Sequence, residues 1–339
     1  MNFLCNYFLF ISKFFTIIIL TITTCFFIAN IISKKRSNNG KIKITILDKD
    51  FEDIKNNILL STMSTIEKKI WYKLKKKKIK NKIHQAKIAG LNNLNINKPK
   101  LYILDFKGST DAHEVSNLRK EISAIISVAQ KNDEVLLRLE SSGGIVHGYG
   151  LAASQLQRLK NRNIYLTIVV DKIAASGGYM MACVADHLVA APFSIIGSIG
   201  VVSQLPNFNR FLKKNDIDFE LHTSGSHKRN LTIFGKNNEE GRKNLCDQLK
   251  IIHTLFKTFV KDMRPNLDID SVSNGEYWFG SVALKKGLID DINTSDDIIF
   301  SKKNRFCLIH IQYLKKKNFL SFLLKNVLNN LINIIRIFI

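Results

Sequence analysis

An α/β domain with parallel strands is the fold this sequence predicts, and three observations predict it. Short, continuous apolar runs rich in β-branched residues recur at 101–106, 134–139 and 164–170, as strands buried on both faces do. Between them, 114–130 and 148–160 carry apolar residues at helical spacing. Glycines cluster at 143–144, 177–178 and 197–200, where apolar runs end. Strand alternating with helix is the pattern of an α/β layer.

Taken in chain order, the first element is a membrane anchor. Residues 14–32 are 19 positions without a charge, followed at once by Lys34-Lys35-Arg36. At 1.5 Å per residue that length crosses a hydrocarbon core of about 30 Å. A cleaved signal peptide is the competitor, but Phe26-Phe27-Ile28-Ala29-Asn30-Ile31-Ile32 offers a poor cleavage site. Residues 1–40 are therefore assigned to the anchor and 41–100 to a basic linker region. Within the linker, 68–87 holds ten lysines interleaved with Ile70, Trp71, Leu74, Ile79 and Ile83. A solvated helix between anchor and body is preferred there to an arm for nucleic acid or lipid headgroups.

The body spans 101–300. Val115, Leu118, Ile122, Ile125 and Ile126 form one helical stripe, and Leu151, Leu156 and Leu159 another. A strand is expected at 218–221, a long helix over 238–263 ending near Arg264-Pro265, and a short helix over 280–286 closed by Gly287. Residues 301–339 form a basic amphipathic tail. Ser321, Lys325, Asn329, Asn333 and Arg336 mark its polar stripe, leaving a wide apolar face for a membrane surface or a neighbouring subunit.

Charge placement removes one class of function. The chain carries Lys+Arg 51 against Asp+Glu 28, a formal +23, which suggests an anionic partner. Yet residues 101–300 hold 23 basic and 23 acidic side chains, so the flanks own the excess. A neutral body argues against a nucleic-acid binder. The five cysteines (5, 25, 183, 246 and 307) form no CxxC pair, so neither a zinc site nor a disulfide framework is expected, and the thiols read as small buried hydrophobes.

Ser176 is the strongest candidate for chemistry. It precedes Gly177-Gly178 and the apolar run Tyr179-Met180-Met181, which places its hydroxyl at a helix N-terminus where the dipole favours an oxyanion. The same position suits a plain N-cap serine. A nucleophile needs a base, and His147 and His187 are the histidines nearest the glycine turns, with no Asp placed to orient either. A lysine serves if burial among apolar groups keeps its amine neutral. Lys228 follows Ser224-Gly225-Ser226-His227 and is the candidate, with Leu231, Ile233, Ile195, Ile196 and Ile199 as its dry surrounding.

Eight segments in order carry a resemblance: VHGYGLAASQLQRL (146–159), DKIAASGGYMMACVAD (171–186), GSIGVV (197–202), NFNRFLK (207–213), KRNLT (228–232), EEGR (239–242), FVKDMRP (259–265) and DINTSD (291–296). Over about 100–300 the chain resembles the signal peptide peptidase A family of serine proteases, most closely its SohB branch. The resemblance implies a ClpP/crotonase-like superhelix of strand-strand-helix units with an N-terminal transmembrane helix. It implies a Ser/Lys dyad of Ser176 and Lys228, with Ser198 orienting the amine and Gly143, Gly144 and Gly177 forming the oxyanion hole. No cofactor or metal is implied.

The expected partners are a peptide or unfolded polypeptide substrate, the lipid bilayer and further copies of the chain, with no nucleic acid. The expected location is a bacterial inner membrane with the catalytic domain periplasmic, opposite to the side that the cations after residue 32 favour. The family pattern Ser-Pro-Gly-Gly is here Ser141-Ser142-Gly143-Gly144, so the turn lacks a ring fixing φ and a modest loss of rate is expected. A crotonase-type acyl-CoA enzyme would share Gly-Gly oxyanion holes but would need neither the Ser and Lys nor an anchor. A catalytically weak tethered scaffold would be expected to have lost the dyad, and both residues are present.

Overall fold

The computed structural model describes residues 12–14, 16–17, 20, 40–88, 98–225 and 228–314. They divide into two compact units, Met1–Lys43 with Tyr313–Ile339, and Ile44–Gln312. In the first, the Thr16 hydroxyl donates to the Lys13 carbonyl at 2.8 Å and the Gly40 N–H to the Tyr313 hydroxyl at 2.7 Å. The uncharged run 14–32 of the expected anchor, apart from Phe14, Thr16, Ile17 and Leu20, and the expected tail stripe from 318 onward lie outside the described residues. Among the described residues no helix is long and apolar enough to cross a membrane.

The chain begins with β1 (Lys41–Ile46), α1 (Leu47–Thr62) and α2 (Thr65–Ile88). There follow β2 (Lys100–Lys107), α3 (Val115–Val128), β3 (Glu134–Glu140), α4 (Val146–Lys160), β4 (Tyr165–Val170), β5 (Ile173–Ala175) and α5 (Gly177–Ala182). Next come β6 (His187–Ala190), β7 (Ile195–Gly197), α6 (Asn209–Lys214) and α7 (Glu239–Met263). The last elements are α8 (Ile269–Val272), β8 (Tyr277–Phe279), α9 (Gly280–Lys285), β9 (Asp291–Ile292), α10 (Ser295–Lys302) and β10 (Cys307–Leu314).

Seven strands form one sheet in the order β1-β10-β2-β3-β4-β6-β9, parallel from β10 to β9. The fold is thus mixed α/β with a parallel-rich sheet. Its strands are continuous apolar runs because both faces are covered. Tyr102, Leu104, Phe106, Val135, Leu137, Leu139, Leu166, Ile168 and Val170 point into the larger core. The intervening Leu101, Ile103, Leu136 and Val169 join Val189, Ile299, Phe306 and Leu308 in a second cluster, as the two-residue period of a strand requires. Each such side chain stabilises by about 1.5–3 kcal/mol when buried.

A second layer steps off the first. After β3, Ser141 bridges Ala174; after β4 comes β5; after β6 comes β7, parallel to β5. The Ser141 N–H donates to the Ile173 carbonyl at 2.8 Å and the Ile195 N–H to the Lys172 carbonyl at 2.8 Å. The antiparallel β8 closes this three-stranded sheet.

Several sequence expectations change. Residues 218–221 form no strand: Ile217, Phe219 and Leu221 alternate with Asp216, Asp218 and Glu220, but all are exposed, and a strand without a partner or core face is not stable. Instead, the Phe219 ring packs at 5.7 Å from that of Phe234. Leu151 leaves the α4 stripe, standing 45% exposed, because it lies only two positions from Tyr149 and helical neighbours are three or four apart. The stripe is Tyr149, Ala152, Ala153, Leu156 and Leu159.

The linker region holds two helices, and Leu47 and Phe51 of α1 pack against the second core cluster. Residues 301–314, expected as the head of the tail, are the end of α10 and the strand β10 beside β2. Cys183 is buried, its thiol pushed up to about 12 by burial, whereas Cys246 is exposed. The end of α7 is as expected: Arg264, preceding Pro265, is driven to ψ 76°, and Gly287 after α9 takes φ +77°.

Candidate active site

Parallel strands that step into short second-layer strands bring their following turns together. The turn at 141–145 lies against that at 175–178, and the latter against 197–198. The Ala175 N–H donates to the Ser141 carbonyl at 3.0 Å, and the Ser176 N–H to the Gly197 carbonyl at 2.8 Å. A Cβ on Gly143 would sit 2.7 Å from the Gly177 nitrogen and 2.9 Å from the Ser176 Cβ. Gly143 itself adopts φ +87°, so glycine is required there twice over.

Ser176 sits half-buried at this junction with φ 53° and ψ −120°. Its side chain makes no capping bond to α5, which removes the N-cap role, and among the described residues its hydroxyl has no hydrogen-bond partner. A non-glycine residue in such a conformation is held by its surroundings, here by the Gly197 carbonyl on its N–H and by Met180, whose N–H donates to the Ser176 carbonyl at 3.0 Å. α5 has only six residues, so individual backbone N–H groups matter more than its dipole.

The three glycines differ in what their N–H groups do. That of Gly143 donates to the Ser141 hydroxyl at 3.1 Å. Those of Gly144 and Gly177 have no acceptor among the described residues. Gly144, Ser176 and Gly177 line one cleft with Val146, Tyr149, Met180, Gly200, Val201 and, from α7, Ile252 and Phe256. The cleft measures about 20 Å³, room for about one water. A reacting carbonyl at Ser176 would meet two unused donors on one side.

Ser198 lies next to this junction at φ 51°, its N–H donating to the Glu276 carbonyl at 2.7 Å and its hydroxyl to the Gly275 carbonyl at 3.2 Å. Lys228 is placed differently from expectation. Its side chain is exposed, it makes no hydrogen bond to Ser176, and it is not among the cleft-lining residues. Ile196 and Ile199 are buried, but Ile233 is exposed, so the described residues do not supply the dry surrounding foreseen for the amine. The histidine rivals fare no better: His147 is exposed on the first turn of α4, and His187 opens β6 opposite Thr167, at the far end of the strands from the turns.

Tyr149 is the site residue that sequence reasoning missed. It is fully buried, its hydroxyl lies 2.6 Å from that of Ser141 and donates to the Ser109 carbonyl at 2.8 Å. Burial raises its phenol above the ordinary value, the Ser141 hydrogen bond acting the other way. Its flanking glycines, Gly148 and Gly150, were the only local signal. Among the described residues no group of three or more His, Cys, Asp or Glu is placed to hold a metal ion.

Comparison with known families matches residues 2–156 to the N-terminal model of peptidase family S49 and residues 158–306 to the peptidase family S49 model. The chain is 55% identical over 333 residues to "Probable protease SohB" of Buchnera aphidicola subsp. Schizaphis graminum, covering 96% of each. It is 44% identical over 335 residues to "Probable protease SohB" of Haemophilus influenzae, covering 98% of this chain and 95% of that one. It is also 28% identical over 187 residues to "Putative signal peptide peptidase SppA" of Enterococcus faecium, covering 54% of each.

Proposed function

The chain belongs to peptidase family S49, in the SohB branch, and on that premise we propose that it is a membrane-anchored serine endopeptidase acting on peptides or unfolded polypeptides through an acyl-enzyme. The observation that carries this reading is Ser176: a strained serine whose hydroxyl has no partner among the described residues, sharing a cleft with the N–H groups of Gly144 and Gly177, which have no acceptor among them.

In the proposed reaction the Ser176 Oγ attacks the scissile carbonyl carbon while its proton passes to the neutral amine of Lys228. The oxyanion accepts from the Gly144 and Gly177 N–H groups, and Gly143 shapes the turn. Collapse expels the amine product, which takes the proton from the Lys228 ammonium. Water, giving its proton to Lys228, then attacks the ester carbon and releases the acid, returning the proton to Ser176. Ser198 orients the lysine amine. Lys228 lies on the stretch between α6 and α7, and a lysine base works where apolar walls exclude water; closure of that stretch in a homo-oligomer supplies them.

The stepped strands support the reading of the body as a ClpP/crotonase-like superhelix of strand-strand-helix units, each glycine turn following such a step. The uncharged residues 14–32 support the anchor, which we place in a bacterial inner membrane with the body on the periplasmic side. The deciding experiment labels the full chain with an alkyl fluorophosphonate. Wild type should be labelled at one site and Ser176→Ala not at all; an unlabelled wild type would point to a tethered scaffold instead.

A further inference from the structure

Gly144 offers its N–H usefully only if the turn that carries it is held still, and Ser142, exposed and without a ring to fix φ, does not hold it. Something else must. On one side the Ile145 N–H is fixed to the Thr110 carbonyl at 2.9 Å. On the other, the Gly143 N–H ends on the Ser141 hydroxyl. A hydroxyl is a firm acceptor only when its own proton is committed elsewhere.

Proton bookkeeping gives the direction. The Ser109 carbonyl can only accept, so the single Tyr149 proton goes to it. At 2.6 Å from Ser141, the Tyr149 oxygen must therefore accept the Ser141 proton. Ser141 in turn keeps a lone pair for Gly143. The chain runs one way, from the Gly143 N–H through Ser141 and Tyr149 to the Ser109 carbonyl, two residues past β2. Ser141 and Tyr149, its two hydroxyl members, are buried, where such bonds reinforce one another. Gly108 leaves the space: a Cβ there would meet the Tyr149 oxygen at 2.4 Å and the Ser141 oxygen at 2.7 Å. The Tyr149 ring also lies against Gly177, whose absent Cβ would be 2.5 Å from its Cγ.

The geometry points to Tyr149 as a positioning residue for the oxyanion turn: through Ser141 its hydroxyl fixes the Gly143 peptide, and with its ring it seats Gly177, so that both donors face Ser176. This role rests on the reading of Ser176 as nucleophile. Tyr149→Phe keeps the ring and removes only the relay.

The test is fluorophosphonate labelling of the full chain over a range of probe concentrations, separating the maximal rate constant from the half-saturating concentration. The Ser176 oxygen bonds to phosphorus, fluoride leaves with its electron pair and the serine proton goes to the base. Tyr149→Phe should lower the maximal rate constant about 10- to 100-fold with half-saturation unchanged, since a displaced donor acts on the transition state. Ser141→Ala, which keeps the Tyr149 side chain whole, should do the same and decides the matter should Tyr149→Phe fail to fold. The double variant should be no slower than the slower single one, because both cut one chain. Tyr102→Phe, which removes a buried hydroxyl bonded to Asp133, should label as wild type does. A wild-type rate in both single variants, a change confined to half-saturation, or multiplying effects would each overturn the positioning role alone. A wild type that is not labelled, or one labelled no differently from Ser176→Ala, removes the nucleophile and this role with it.

Discussion

Ser176 holds φ 53° and ψ −120°, which costs a non-glycine residue about 1–3 kcal/mol, and glycine would be free of that cost. Ser176→Gly should therefore raise stability by about 1 kcal/mol after the extra entropy of its unfolded chain is subtracted, while abolishing labelling and peptide hydrolysis; urea unfolding in parallel with labelling checks both. Lys228 has an exposed side chain, so Lys228→Ala should change stability by less than about 0.5 kcal/mol yet stop hydrolysis, and Ser198→Ala, losing one hydrogen bond to Gly275, should be milder. Substantial hydrolysis by Lys228→Ala would remove the dyad. The glycine turns are legible in sequence because a positive φ at Gly143 and the close approach of the Tyr149 ring at Gly177 exclude other residues. The surroundings of Lys228 are not legible, since burial depends on what a whole segment packs against. Tyr149 escaped notice for a related reason: its partners at 109 and 141 come together only through the fold.

At the scale of the element, periodicity identified the strands and helices whose faces meet the core and misjudged those without a partner. Residues 134–139 and 164–170 are strands because both faces are covered, whereas 218–221 has the right alternation and nothing to pair with. Leu151 and Leu156 give the sharpest contrast on one helix. Leu156→Ala, opening space in a fully buried stripe, should cost about 2–5 kcal/mol, and Leu151→Ala should cost less than about 0.5 kcal/mol; equal losses in chemical unfolding would put the stripe in the wrong place. Charge across the sheet gives a second test. Asp105 accepts from Arg138 at 2.5 and 2.9 Å and pairs with His310 at 2.8 Å. Burial alone would raise its carboxyl, but the His310 and Arg138 contacts outweigh it and hold it at about 2. Between that value and the ordinary carboxylate value of about 3.9 the unfolded chain binds the proton more readily. Stability from this group is thus complete above about pH 4 and is lost as pH falls toward 2. Asp105→Asn should flatten the wild-type slope of melting temperature against pH in that window; an unchanged slope would show that the pairing does not contribute.

Across the whole molecule, the neutral body with its basic flanks was legible from counting residues. What counting does not reveal is how much apolar surface the described residues leave in water. Phe193 is 84% exposed and Val202 78%. Leu205, Phe208, Phe211, Ile217, Phe219 and Leu221 are exposed along the segment through α6 that leads to Lys228, as are Ile251 and Leu255 on α7. Isolated exposed apolar residues are normal, but a run of this kind marks an interaction surface. The cleft beside Ser176 holds about one water, far less than a peptide, and α7 already forms one of its walls through Ile252 and Phe256. A neighbouring copy seated on the exposed stretch would bury it, lengthen the cleft and enclose Lys228 together. The full chain should therefore form a closed homo-oligomer, and activity should depend on it. Phe211→Asp with Ile251→Asp, neither of them a cleft-lining residue, should reduce the assembly to smaller species in light scattering and lower peptide hydrolysis in proportion to the oligomer lost. A wild-type chain that scatters as a monomer and hydrolyses peptides at full rate would show that one copy completes its own site and that the apolar stretch serves another partner.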